Sequence, residues 1–214
     1  MAKKYYQLCL VTDNALANGR PLAGIVVAAV NGGVTMVQLR EKTASTCAFI
    51  EQARVLKRLL APLRVPLLIN DRIDVALAAG ADGVHVGQQD MPVALARQLL
   101  GPAAIIGLSI TELGQVRDRD AELADYLGVG PIFAQSTKLD ATPPLCLDGL
   151  AEVRRATGKP IVAIGGVSAA NADAVRSAGA DGIAVVSAIM GADDHRAAAA
   201  ALVSAPKAGR LKSG

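Results

Sequence analysis

The stretch Leu67-Leu-Ile-Asn70-Asp71-Arg72, continued by Ala78-Ala-Gly80-Ala-Asp82-Gly83-Val-His85-Val-Gly87-Gln-Gln89-Asp90, decides the fold. A short apolar run ends in Asn70-Asp71, a helical segment follows, and a second apolar run ends in Gly87-Gln-Gln-Asp90. Strand, helix, strand is one βαβ unit, and both of its parallel strands finish in a carboxylate. Neighbouring parallel strands set those ends side by side, so Asp71 and Asp90 converge. Two carboxylates with no lysine or arginine between them repel, unless a hard cation or a shared proton offsets the charge. This predicts a Mg²⁺ site holding a phosphorylated substrate. The alternative is a pair of solvated loop acids.

Working outward, the same alternation recurs along the chain. Strands are expected at Tyr5–Thr12, Val34–Leu39, Val65–Ile69, Gly83–Val86, Ala104–Leu108, Tyr126–Val129, Pro160–Ile164 and Ile183–Val186. Helices are expected at Pro21–Val30, Thr43–Leu60, Ile73–Ala79, from Pro92 to Gly101, at Thr111–Glu122, Leu147–Thr157 and Ser168–Ser177, and at Ser187–Val203. A long polar loop spans Gly130 to Pro144. Eight such units, each just under about thirty residues, are the count of a single-domain (β/α)₈ TIM barrel of the α/β class over residues 1–203. Residues 204–214 read as a disordered tail. An internal echo supports the barrel: Ala79-Gly-Ala-Asp-Gly83 and Ala178-Gly-Ala-Asp-Gly182 both lead from helix to strand, with Gly80 and Gly179 as left-handed caps. An open doubly wound sheet is the runner-up. No strand carries the GxGxxG turn that such a sheet uses for dinucleotides.

Composition narrows the function. The 214 residues contain no Trp, three Tyr and two Phe, a balance that suits parallel strands under alanine-rich helices. The net charge of +3 comes from scattered basic residues without a basic, aromatic-interleaved stripe, which argues against nucleic acid. Cys9, Cys47 and Cys146 have no CxxC spacing and point to a reducing cytoplasm. No apolar run approaches the length needed to span a membrane. A homo-oligomer is compatible with this chain.

In a barrel, chemistry sits at the C-terminal ends of the strands. Strand two ends Gln38-Leu39-Arg40-Glu41-Lys42, and strand alternation turns Gln38 and Arg40 to one face, with Lys42 following. Cations at the mouth need a counter-charge, either a phosphate group or a salt bridge to an acid such as Asp71. Ser109 places a hydroxyl at the end of strand five. Gly165-Gly166 and Val186-Ser187 end strands seven and eight, where barrels commonly bind phosphate. His85, without another histidine nearby in sequence, reads as a core or supporting residue, and His195 as solvated. No Ser-His-Asp or Cys-His arrangement is visible.

With these residues assembled, the chain resembles the thiamine phosphate synthase family over nearly its whole length. The matching segments are Leu10-Val-Thr-Asp13, Val37–Lys42, Ile69–Arg72, Asp82–Gln88 with Asp90, Gly107-Leu-Ser109, Gly128–Phe133, Thr137-Lys138, Ile164–Gly166 and Val185-Val-Ser187. The resemblance implies a transferase that joins hydroxymethylpyrimidine diphosphate to hydroxyethylthiazole phosphate, releasing diphosphate. It implies that Gln38, Leu39, Arg40, Glu41, Lys42, Asn70, Ser109 and Lys138 hold the pyrimidine diphosphate. Arg40, Lys42, Ser109 and Lys138 would be the catalytic group. Asp71 and Asp90 become Mg²⁺ ligands, and Gln135, Ser136, Thr137, Gly166, Val186 and Ser187 hold the thiazole phosphate. The family's usual Thr-Pro-Thr before the loop lysine is here Gln135-Ser136-Thr137. That departure bears on thiazole-phosphate affinity or loop order. A thiazole tautomerase on the same fold uses a histidine two residues after the mouth serine, where this chain has Thr111. A non-catalytic binding protein of the same pathway is the rival from another class.

Overall fold

The apolar runs become eight parallel strands that close on themselves. The computed structural model describes residues 5–134 and 143–203. Its strands are β1 (Leu8–Val11), β2 (Met36–Leu39), β3 (Leu67–Asn70), β4 (Gly83–Val86), β5 (Ile105–Ile110), β6 (Tyr126–Val129), β7 (Ile161–Ile164) and β8 (Gly182–Val185). Each pairs with the next, and β1 pairs with β8, so the fold is the closed (β/α)₈ barrel in one domain and not the open sheet. Helices α1 (Leu22–Asn31), α2 (Thr46–Leu60), α3 (Ile73–Ala79), α4 (Val93–Leu100), α5 (Arg119–Leu123), α6 (Cys146–Ala156), α7 (Ala172–Ser177), α8 (Ser187–Met190) and α9 (His195–Val203) surround it.

Strand alternation makes two cores. Leu8, Leu10, Val37, Leu39, Leu67, Ile69, Val84 and Leu127 face outward under the helices. Cys9, Val11, Met36, Leu68, Tyr126, Val162 and Ala184, with Tyr6, face inward and fill the lumen. Helix α2 shows how the ring is attached. Ser45 caps its start by accepting from the Ala48 N–H, and Phe49, Ala53, Leu56 and Leu60 recur at helical spacing and are fully buried or nearly so. Helix α3 ends at Gly80 in the left-handed conformation, as the sequence predicts.

Helix α7 begins at Ala172, four residues later than expected, and two expected helices are broken. The segment 111–122 is not one helix: a 3₁₀ turn at Leu113–Arg117 is followed at Asp118 by the short α5. The final helix is broken as well. Gly191 ends α8, and Asp194 starts α9 by accepting from the Ala197 N–H with its side chain and the Ala198 N–H with its carbonyl. In both places a residue that favours caps and turns interrupts an apolar pattern that would otherwise run on.

At the N-terminal end of the barrel a single device is used four times. The residue just before each even-numbered strand accepts a hydrogen bond from the preceding odd strand. Thr35 accepts from Leu8 N, Asp82 from Leu67 N, Asp125 from Ile106 N and Asp181 from Ile161 N. The three aspartates also pair with a helix cation, Lys57 of α2, Arg97 of α4 and Arg154 of α6. The sequence echo at 79–83 and 178–182 is two copies of this seal.

Among the described residues all three cysteines are free, with Cys9 buried and Cys47 and Cys146 exposed, and no helix is long and apolar enough to cross a membrane. The expected tail at 204–214 lies outside the described residues.

Candidate active site

The C-terminal strand ends form the barrel mouth, and β2 supplies its cations. Gln38 points inward and is 6 % exposed. Arg40 lies beyond the strand, its Nη1 3.5 Å from the Asp13 carboxylate, while its own N–H donates to the buried Thr12 hydroxyl. Lys42 Nζ sits 2.5 Å from Asp71 Oδ2. This is the salt bridge named above as the alternative to a phosphate group; it gives Asp71 a basic neighbour, so the premise of two carboxylates with no cation between them does not hold. Both ion pairs are substantially solvent-exposed, and pairs of that kind are worth about 0–1 kcal/mol. A phosphorylated ligand can therefore replace either acid at little cost.

Two neighbours of these cations have other work. Leu39 faces outward with no exposure, so its side chain is excluded from the mouth and only its backbone remains for a ligand. Glu41 accepts from the N–H groups of Thr43 and Ala44, from the Thr43 hydroxyl and from Asn14. Partial burial raises its pKa, and these hydrogen bonds outweigh that and hold it at about 2. Glu41 is an ionised brace for the β2–α2 loop.

Asn70 ends β3 and lies in register with His85 on β4. The chain then turns sharply. Asp71 takes a left-handed φ of +63°, a conformation Asp tolerates, and its N–H donates to the His85 carbonyl. After β4, Asp90 Oδ2 accepts from the Gly87 N–H at 2.7 Å. Among the described residues no three His, Cys, Asp or Glu side chains gather into a metal cage. Two hard carboxylates suit Mg²⁺, which binds through one or two carboxylates and fills its shell with water and substrate phosphate. They do not suit a structural zinc.

Ser109 belongs to β5, one residue inside a strand that runs further than the sequence predicted. Its hydroxyl lies 2.9 Å from His85 Nε2, and His85 Nδ1 lies 2.9 Å from the Tyr126 hydroxyl. Gln38, inward-facing on β2, lies near that same hydroxyl. Burial pushes the His85 pKa down to about 4, against the pull of the Asp90 charge, so the imidazole is neutral at pH 7. Burial also holds the Tyr126 phenol well above its ordinary range. Gly107 and Gly128 make room for both rings. A Cβ on Gly107 would lie 2.2 Å from Tyr126 Cζ, and one on Gly128 would lie 2.6 Å from His85 Cε1. His85 is the supporting residue the sequence implies. Tyr126 was missed, and the glycines inside β5 and β6 were the available signal, since strand glycines mark close approach.

At β7 the chain leaves through Gly165 and Gly166, both with positive φ. A Cβ on Gly166 would meet Phe133 Cβ at 2.7 Å, and Asn171 Nδ2 donates to the Gly166 carbonyl. Val186 precedes α8, which opens with Ser187. Helix α8 is held from below by Arg20, unremarked in the sequence, whose guanidinium donates to the carbonyls of Met190 and Ala192. Gly166, Val186 and Ser187 thus share the mouth with the β2–β5 residues. Gln135, Ser136, Thr137 and Lys138 lie outside the described residues. A cleft of about 670 Å³ does open elsewhere, at the opposite barrel end near Lys57, Asp82 and Leu100. That end carries the strand seals and none of the residues above.

A family model described as thiamine monophosphate synthase matches residues 8–189. The thiamine-phosphate synthase of Albidiferax ferrireducens is 60% identical over 194 residues, covering 90% of this chain and 88% of that protein. The thiamine-phosphate synthase of Chloroflexus aurantiacus is 55% identical, covering 91% and 89%. Among solved structures, a thiamine phosphate pyrophosphorylase from Pyrococcus furiosus superposes with a TM-score of 0.86 at 37% identity, covering 94% of this chain and 96% of that one.

Proposed function

The chain belongs to the thiamine monophosphate synthase family, an enzyme family of thiamine biosynthesis, and from that premise we propose the reaction and the residues that carry it. Hydroxymethylpyrimidine diphosphate condenses with hydroxyethylthiazole phosphate, or its carboxylated form, to give thiamine phosphate and diphosphate. The observation that carries this reading is the gathering of Gln38, Arg40, Lys42, Asn70, Asp71 and Ser109 at one barrel mouth, beside the glycine turn of Gly165-Gly166. One cluster suits a diphosphate and the other a monophosphate.

The mechanism is dissociative. Arg40, Lys42 and Lys138 hold the charge that grows on the departing diphosphate, Arg40 as a planar fork and Lys42 as a point charge. Asp71 and Asp90 would hold Mg²⁺, which neutralises diphosphate charge when bound. Lys42 exchanges its ion pair with Asp71 for substrate phosphate, so the acid and the base of that pair both turn to the ligand. Gln38, Asn70 and Ser109 orient the pyrimidine half. Gly166, Val186 and Ser187, with residues 135–137, hold the thiazole phosphate so that the thiazole nitrogen faces the methylene carbon. The protein's share is positioning and electrostatics, and it needs no nucleophile of its own. The setting we propose is a reducing cytoplasm, in keeping with three free cysteines.

The test is thiamine phosphate formation from the two substrates with Mg²⁺ and then with chelator. Metal-dependent product is expected, and Asp71→Ala should abolish it. Normal metal dependence in Asp71→Ala overturns the metal assignment. Calorimetric binding of both substrates without any product overturns the reaction in favour of a binding protein.

A further inference from the structure

A file of polar groups runs beneath the mouth, from buried Tyr126 through buried His85 to Ser109, the member that opens towards solvent. A neutral imidazole has one N–H and one lone pair, so the file has a direction. If Nδ1 carries the proton, His85 donates to Tyr126, and the Ser109 hydrogen points back into Nε2. Ser109 then shows the mouth only lone pairs. If Nε2 carries the proton, His85 donates to Ser109 Oγ, and the serine hydrogen is left to point outward. The same serine is an acceptor in one case and a donor in the other.

The mouth chooses between them. It carries Arg40, Lys42 and Asn70 as well as Ser109, donors suited to an anion, and a serine that showed it only lone pairs would repel that anion. The ring is held with Nδ1 on Tyr126 and Nε2 on Ser109, because the backbones of Gly107 and Gly128 wall it in at distances where even a methyl group would not fit.

We propose that Tyr126 and His85 are positioning residues that fix Ser109 as a hydrogen-bond donor to a lone-pair or anionic acceptor of the substrate. This rests on the reading of Ser109 as a substrate contact given above. Neither residue touches the substrate; both act through the serine.

Long-range ¹H–¹⁵N correlation of the imidazoles in the ligand-free chain tests the direction. The sequence has only two histidines, and a His195→Gln variant assigns the signals. A proton on Nε2 of His85 at neutral pH is expected, and a proton on Nδ1 overturns the proposal. Kinetics tests the consequence. Tyr126→Phe should lower kcat about tenfold, the scale of one misdirected hydrogen bond, with KM for the thiazole phosphate unchanged. In a Ser109→Ala background Tyr126→Phe should add nothing, because the group it acts through is gone. His85→Gln, which keeps an N–H donor, should retain more kcat than His85→Leu. Full additivity, with Ser109→Ala itself impaired, overturns the relay alone. A silent Ser109→Ala removes the serine from the substrate site and takes the relay's catalytic role with it.

Discussion

Gly128→Ala tests whether the lumen is packed as described. The new Cβ would lie 2.6 Å from His85 Cε1 and 3.1 Å from Nε2. To reach ordinary contact at 3.4 Å, the imidazole must retreat by about 0.8 Å. It cannot do so freely, because it is held at 2.9 Å on both sides by Ser109 and Tyr126. Overpacking of this kind costs about 1–3 kcal/mol. Loss of one of the two hydrogen bonds adds about 1 kcal/mol. For a domain of this size each kcal/mol lowers Tm by roughly 2–4 °C, so a fall of about 5–15 °C is expected. Gly24→Ala is the matching control: Gly24 sits in α1 with nothing within 4 Å of the added methyl, and that change should stabilise by about 0.5–1 kcal/mol. Thermal unfolding followed by circular dichroism reads both. Adding His85→Ala should recover part of the Gly128→Ala loss, since it removes what the methyl strikes. An unchanged Tm for Gly128→Ala, or equal shifts for the two glycines, would refute the packing argument.

Three further outcomes follow from features of the fold. The folded His85 pKa of about 4 lies below the unfolded value of 6.5, so between those pH values only the unfolded chain binds this proton. Stability should therefore be level above pH 6.5 and fall by up to about 3 kcal/mol as pH drops towards 4; His85→Gln should flatten that limb in urea titrations, and an identical slope removes His85 as its source. Asp125→Ala strips partners from Ile106 N and Arg97, and should cost about 1–3 kcal/mol while leaving kcat per folded molecule unchanged, because the seal is at the far end of the barrel; a kcat loss would break that separation. Arg20→Met releases the carbonyl end of α8 and should raise KM for the thiazole phosphate more than for the pyrimidine diphosphate, whereas an equal rise in both would show that α8 does not serve one substrate.

The sequence is legible where one residue decides one local geometry. Gly80 ends α3 in the left-handed conformation it alone adopts freely, and the strand alternation of Gln38 and Arg40 brings both to the mouth. Apolar runs bounded by Asn70-Asp71 and Gly87 gave β3 and β4 within about two residues. Sequence reasoning failed where the deciding partner is remote. Lys42 and Asp71 are 29 residues apart, so the sequence offers their ion pair only as the alternative to a phosphate group. Tyr126 lies 41 residues from His85, and its role depends on the barrel closing. The two helix errors are different, since their signals were present. Asp118 and Gly191-Ala-Asp-Asp194 are stop and start residues set within apolar patterns that continue past them. Leu39 shows the limit of resemblance: its position in the matching segment does not reveal that its side chain faces the helices.

The four seals at the closed end bear on how the chain can be rearranged. Each joins an odd strand to the residue before the next, across spans of 27, 15, 19 and 20 residues, so every seal lies within one consecutive strand pair. Closing such short loops is entropically cheap compared with bringing β1 to β8. The barrel is thus a ring of four self-fastened quarters joined to one another by strand pairing. A circular permutant opened at a seam, ahead of α2 between β2 and β3 or ahead of α4 between β4 and β5, keeps every fastening within a continuous piece of chain. One opened inside a quarter, between β3 and β4, leaves Leu67 and Asp82 at opposite ends of the new polypeptide. The order in which the chain is threaded can change at the seams, and the fastenings mark where it cannot.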